Sequence, residues 1–356
     1  MAGVFYFCHM TDYLIVGAGL SGIAFAETAL KNNKSIQVFE NFSQNSSSVA
    51  AGIYNPVILK RFSSLFQAQE QLDLMNSFYK SIEAKLAVTV NHKIPVLRKF
   101  HSPEEQNDWF LASDKKNLCA FLSTQIVAKK FNCIDSPYGY GEVLQTGYVD
   151  SQLLLNKYQE YLEQSGLLHR EEFDYSRLEV DAGSVSYNDK EYKHLVFAEG
   201  FGMHANPFFN HLPLDGTKGE LLIIEAPELN LDVILNAGVF VLPLGNNLFK
   251  IGATYNWDDK TDSLTAEGRQ ELIDRICEVI TCKFSIIEHQ AGVRPTVKDR
   301  KPLIGTHHIH KNLHILNGLG TRGVMLGPAM AKALFENIEF GLPLQKEIDI
   351  RRFKLS

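Results

Sequence analysis

The stretch DYLIVGAGLSG, Asp12 to Gly22, is a G-x-G-x-x-G pattern (Gly17, Gly19, Gly22) set directly after an apolar run. Its placement decides the fold. Tyr13 to Val16 suits a buried strand, and Leu20 to Leu30 carries apolar residues at helical spacing, so the glycines fall where a strand turns into a helix. There Gly17 permits the tight turn, Gly19 lets a pyrophosphate approach the backbone, and Gly22 lets helix and strand pack closely. The phosphates would sit over Gly17, Ala18, Gly19, Leu20, Ser21 and Gly22, on the free N–H groups of the helix N-terminus. A second strand, SIQVFEN, ends in Glu40, 18 residues past Gly22 (40 − 22). A carboxylate roughly 20 residues on is what a ribose hydroxyl pair needs. Strand, helix, second strand and acid together point to a bound dinucleotide, with Glu40 and its neighbour Asn41 at the adenosine ribose.

The 356 residues are too many for one small core and suggest two domains. A net charge of −6 argues against a protein devoted to nucleic acid. No apolar stretch approaches the roughly 20 residues of a membrane span. The five cysteines (Cys8, Cys119, Cys133, Cys277, Cys282) form no C-x-x-C pair, which removes a dithiol centre and a zinc ribbon together and fits a reducing cytoplasm. The opening MAGVFYFCH lacks a basic n-region and a cleavage site, so it does not read as a signal peptide; Met10 reads as a natural start preceded by an extension.

Along the chain, a small, polar stretch (42–57) reads as a loop close to a ligand, and 63–86 as a long helix. GYVDSQLLLNKYQEYLEQSG reads as a capped helix, with Asp150 or Ser151 as N-cap, Leu153, Leu154, Tyr158 and Leu162 inside, and Gly166 just past its end. HLVFAEGFG is an apolar strand running into Gly200. Residues 219–254 alternate like antiparallel strands, 265–281 read as a helix, and a last helix spans about Pro328 to Phe340. This order implies an α/β, Rossmann-like nucleotide domain of 1–87, 146–212 and 290–356, discontinuous in sequence. An antiparallel-sheet (α+β) substrate domain of 88–145 and 213–289 is inserted in it.

Seven further blocks, in order after IVGAGLSG, carry a resemblance: SSSVAAGIYNP, GYVDSQLLL, LVFAEGFG, LPLDGTKGELL, FVLPLGNNLFKIGATY, GVRPTVKDRKPLIG and NGLGTRGVMLGPAMAKAL. The chain is similar over nearly its whole length to the FAD-dependent D-amino-acid oxidase superfamily, in its glycine oxidase, sarcosine oxidase and D-amino-acid dehydrogenase branch. The resemblance implies FAD, and the residues agree. Gly318, Gly320 and Gly323 form a second glycine loop, with Thr321, Arg322 and Val324, before the last helix, whose N-terminus would favour negative charge on a reduced flavin. Ala50, Ala51 and Gly52 would line the flavin. The implied chemistry is oxidation of an amine or amino acid by hydride transfer to flavin N5, with oxygen or a quinone as acceptor.

The resemblance assigns the substrate carboxylate to Arg294 of GVRP, helped by Arg322 of GTRG; the alternative is a structural Arg294 paired with Asp299. An arginine fork matches a carboxylate bidentately. Phe240 stands where such oxidases often place a tyrosine, and it cannot hydrogen-bond, which puts glycine and plain D-amino acids in doubt. No cysteine lies near GVRP, so the FAD should be non-covalent. Lys60 and Arg61 could add positive charge to the pocket. The segment AAGIYNPVILKRF also resembles the oxidoreductase domain of the bifunctional enzyme that matures 5-methylaminomethyl-2-thiouridine in tRNA, which would imply removal of a carboxymethyl group from a uridine. A non-catalytic FAD-binding protein is the other alternative. His307, His308, His310 and His314 fit no zinc spacing and read as a surface turn; Cys277 and Cys282 read as buried helical thiols.

Overall fold

The computed structural model describes residues 10–353; the expected extension, 1–9, with its Cys8, lies outside the described residues. The strand Thr11–Val16 lies between Ile36–Phe39 and Lys190–Phe197 and runs parallel to both. Leu168–His169 continues the parallel sheet beyond Ile36–Phe39, and Leu313–Asn317 continues it beyond Lys190–Phe197. Both faces of the central strand are buried. Tyr13 and Ile15 enter one apolar cluster, with Phe25 of the helix Leu20–Lys31 and Leu334 of the helix Gly323–Phe340. Leu14 and Val16 enter another, with Phe39, Phe173 and Phe197. That is why the strand reads as an unbroken apolar run. The chain crosses to opposite sides of Thr11–Val16, so a crevice opens at the carboxyl ends of these strands.

The second large sheet has the spatial order Ser285–Arg294, Thr217–Glu225, Leu248–Gly252, Val239–Gly245, Ile234–Ala237, Val96–Lys99, Tyr140–Val143 and Leu122–Val127. It is antiparallel except where Ile234–Ala237 runs parallel to Val96–Lys99. The helix Ala266–Cys277, capped by the Thr265 hydroxyl, buries Leu272 and Ile276 in the cluster on this sheet. The boundary expected at 290 falls inside the strand Ser285–Arg294.

Several boundaries differ from expectation for identifiable reasons. The helix expected from 63 begins at Ala68, because Ser63–Ser64 pairs with Val57–Ile58 and Gln67 adopts a left-handed φ of 48°. The helix expected from Pro328 begins at Gly323, with the proline inside it. Asp150, not Ser151, caps the helix Ser151–Gln164, accepting from the Leu153 N–H at 2.9 Å. Ser151 instead donates to the Ala50 carbonyl at 3.1 Å, and Leu155 rather than Leu153 is buried. Cys277 and Cys282 are not buried helical thiols: the helix ends at Cys277, which is exposed, and Val279 and Ile280 fill the core between them.

Candidate functional site

A cavity of about 570 Å³ lies where the carboxyl edge of the parallel sheet meets the antiparallel sheet. Its first wall is the glycine turn. Gly17, Gly19, Leu20 and Ser21 line it. Gly17 has φ +102°, and a Cβ there would stand 2.4 Å from the Ala198 carbonyl oxygen. Ala18 and Gly22, expected at the phosphates, do not line the cavity. Gly22 is a packing glycine, since a Cβ on it would stand 1.8 Å from the Gly17 oxygen. Ala18 donates its N–H to Glu40 Oε2 at 2.5 Å, and the Phe42 N–H reaches Glu40 Oε1 at 2.7 Å. The strand stops at Phe39, so Glu40 stands just past it, tying down the glycine loop. Each carboxylate oxygen keeps a lone pair for a further donor. Glu40 and Asn41 both line the cavity.

The second wall is Ala50, Ala51 and Gly52. Gly52 has φ +66° and lies against the Val149 carbonyl, where any side chain would collide. The third is the C-terminal glycine loop, with Gly320, Thr321, Gly323 and Val324 on the cavity. The Gly320 N–H donates to the Pro295 carbonyl at 3.1 Å, which joins this loop to the end of the GVRP block. Gly200 contributes from the end of Lys190–Phe197. Two helix N-termini, at Leu20 and Gly323, thus converge on one cavity. Their orphan N–H groups and dipole ends favour an anionic ligand.

Arg294 ends its strand at the cavity. Its guanidinium lies against Gly219, where a Cβ would meet Nη2 at 1.8 Å. The Tyr255 ring packs on the guanidinium, with its centroid 4.6 Å from Cζ. Nη1 donates to the Thr254 carbonyl at 3.4 Å. Among the described residues no carboxylate stands within salt-bridge distance of Arg294. Asp299, the alternative partner, pairs with Arg352 at 2.8 Å instead. Burial holds the guanidinium below its ordinary pKa, opposed by Tyr255. Arg322 does not line the cavity; it caps the last helix, where burial lowers its pKa and Tyr255 acts on it too.

Other walls had little signal in sequence. Ser47 lines the cavity and accepts the Leu20 N–H at 3.2 Å; only the polar, small-residue composition of 42–57 hinted at it. Glu171, Phe173 and Tyr175 also line it, and Glu199 does so from the end of the HLVFAEGFG block, none of them marked in sequence as a site residue. Glu199 receives hydrogen bonds from Tyr175 and Asn206, and burial nevertheless pushes its carboxyl up to about 7. Leu221, Asn236 and Phe240 complete the antiparallel side.

The histidines do not form one turn. His307 Nδ1 accepts the Ile309 and His310 N–H groups at 3.3 and 3.1 Å, whereas His314 is buried in the strand Leu313–Asn317, against Thr306 and His194. Among the described residues no three His, Cys, Asp or Glu side chains gather as a metal site. Lys60 and Arg61 are exposed and off the cavity. Among the described residues no helix is long and apolar enough to cross a membrane.

The glycine cradle, the acid after the second strand and the paired helix N-termini fit an FAD. The chain belongs to the FAD dependent oxidoreductase (DAO) family, whose family model matches residues 12–337. It is an FAD-using oxidoreductase. It is 22% identical to glycine oxidase of Bacillus subtilis over 339 residues, 89% of this chain and 90% of that protein. It is 28% identical over 164 residues to the putative thiamine biosynthesis oxidoreductase ThiO of Rhizobium etli, a match covering 44% of this chain and 48% of that protein. It is 28% identical over 134 residues to the tRNA 5-methylaminomethyl-2-thiouridine biosynthesis bifunctional protein MnmC of Legionella pneumophila, covering 34% of this chain and 20% of that protein. In fold it is similar to glycine oxidase from Geobacillus kaustophilus (TM-score 0.72, 18% identity, 98% of this chain and 96% of that one). It is also similar to iminodiacetate oxidase from Chelativorans sp. BNC1 (TM-score 0.76, 16% identity, 95% of this chain and 98% of that one).

Proposed function

We propose that the protein oxidises the carbon–nitrogen bond of a small amine bearing a carboxylate, an amino acid or a secondary amine. One observation carries this reading: Arg294, half-buried on the cavity, has no carboxylate partner among the described residues. A buried cation without a partner is costly, and an incoming carboxylate supplies the missing charge. The names of two similar proteins, glycine oxidase and iminodiacetate oxidase, agree with such a substrate.

In this reading Gly17, Gly19, Leu20 and Ser21 hold the pyrophosphate and Glu40 the adenosine ribose. Ala50 to Gly52 would line the flavin. Gly320 to Val324 would present a helix N-terminus to it, favouring negative charge there. The flavin, when bound, supplies the acceptor for the hydride. Arg294 fixes the substrate carboxylate bidentately and so sets the amine carbon's position, with Arg322 adding positive charge behind it. Leu221 and Phe240 form an apolar wall for the substituent on the amine and exclude water from it. Among the described residues no cysteine lines the cavity, consistent with an FAD held without a covalent bond. The parallel-sheet segments carry the cofactor, and the inserted segments together with Arg294 the substrate; oxygen or a quinone takes the electrons.

An anaerobic screen of amino acids and N-substituted amino acids tests this. Bleaching of the flavin absorbance by a carboxylate-bearing amine is expected. No bleaching by any amine would overturn the reading in favour of a non-catalytic flavoprotein. The tRNA reading draws only on a match to a fifth of its relative, in a chain of net charge −6.

A further inference from the structure

We propose that Tyr255 is the second half of the carboxylate site, a positioning and specificity-determining residue that clamps the Arg294 guanidinium against the sheet and covers it. The inference rests on the reading that Arg294 meets a substrate carboxylate.

Gly219 lies so close to the guanidinium that no side chain fits there, and the Tyr255 ring centroid stands 4.6 Å from Cζ. A carboxylate is gripped by two parallel N–H groups of such a fork. One nitrogen of the fork is already steered by the Thr254 carbonyl at 3.4 Å. The ring is 55% exposed, so it stands at the mouth, between the arginine and solvent. An aromatic cover keeps the cation without pairing it, and keeps water from it.

Tyr255 is held by the strand that floors the arginine. The Thr254 N–H donates to the Glu220 carbonyl at 3.2 Å. Asn256 exchanges two main-chain hydrogen bonds with Lys218, at 2.9 and 3.0 Å. Both neighbours of Tyr255 are thus stitched to residues flanking Gly219, so floor and cover move as one. Among the described residues the Tyr255 hydroxyl has no hydrogen-bond partner, and it remains free to donate to a carboxylate oxygen. Phe240, deeper in the cavity, cannot offer that donor. The hydroxyl missing at 240 is supplied from 255.

The test titrates the FAD-loaded protein with benzoate and with benzamide, its uncharged analogue, and follows the flavin absorbance. Wild type is expected to bind benzoate and Arg294→Leu to lose it. Tyr255→Ala is expected to weaken benzoate at least tenfold, and Tyr255→Phe a few-fold, with benzamide binding and FAD content unchanged. With the physiological substrate KM should rise more than kcat falls. Should Tyr255→Ala shed its FAD, Tyr255→Leu, which keeps an apolar cover without the π face, takes its place and should also weaken benzoate. Benzoate bound as tightly by these variants as by wild type, while Arg294→Leu has lost it, would overturn the clamp. Benzoate bound equally by wild type and Arg294→Leu would overturn instead the reading of Arg294 itself.

Discussion

The Tyr79 hydroxyl donates to the Val324 carbonyl at 2.8 Å, across 245 residues of sequence. Val324 is the residue four before Pro328, so its carbonyl has no intrahelical N–H to accept. The tyrosine of the helix Ala68–Leu86 replaces that missing donor and lets the last helix begin at Gly323, on the cavity. Tyr79→Phe leaves a buried carbonyl unpaired and is expected to cost about 1–3 kcal/mol. Thermal unfolding with and without FAD checks this. The variant should melt lower and also bind FAD more weakly, because the freed end of the helix is a cofactor wall.

Gly19 and Gly22 are expected to fail differently. A Cβ on Gly19 meets only the Ser47 hydroxyl, at 3.1 Å, so Gly19→Val should fold yet purify without flavin, its branched side chain standing where the pyrophosphate belongs. A Cβ on Gly22 would collide with the Gly17 backbone, so Gly22→Ala should lose folded protein as well as flavin. Circular dichroism and flavin content of the two separate these outcomes.

Glu199 should make the flavin-free protein less stable as pH rises. Burial raises its carboxyl from the ordinary 4.5 to about 7, against hydrogen bonds from Asn206 and Tyr175 that oppose the shift. Between those values the folded state holds a proton that the unfolded chain has released. The stability due to Glu199 is therefore present in full below about pH 4.5 and lost as pH rises through about 7. The shift corresponds to about 3 kcal/mol. Urea unfolding at pH 5 and pH 8 should show wild type losing about 2–3 kcal/mol more than Glu199→Gln, since part of the loss has already occurred at pH 5. An equal change in both proteins would show that Glu199 ionises normally.

The parallel core was legible because its strands are apolar on both faces and its glycines sit at a strand-to-helix turn, and both signals are local. The same holds for Asp150 as a cap and Gly166 as the left-handed residue after the helix, with φ +68°. What stayed illegible depends on contacts between distant segments. Pro328 reads as a helix start because the Tyr79 hydroxyl that accommodates it acts on Val324 across 245 residues of sequence. Leu65 reads as helical, yet it donates its N–H to Pro56 at 2.9 Å and belongs to a hairpin. The cavity wall from Glu171 to Tyr175 has no periodicity at all, and Tyr255 gains its place only when Gly219 and Arg294 are brought together by strand pairing.

The account turns on Arg294. The most direct measurement is the anaerobic rate at which a carboxylate-bearing amine, once found by the screen, reduces the flavin of Arg294→Leu and Arg294→Lys. The leucine variant should retain FAD and fold, yet lose reduction by the equivalent of about 2–5 kcal/mol, as when one member of a buried charge pair is removed. The lysine variant should recover only part, because an ammonium restores the charge without the two-pronged geometry. Flavin reduced at the wild-type rate by Arg294→Leu would contradict the account.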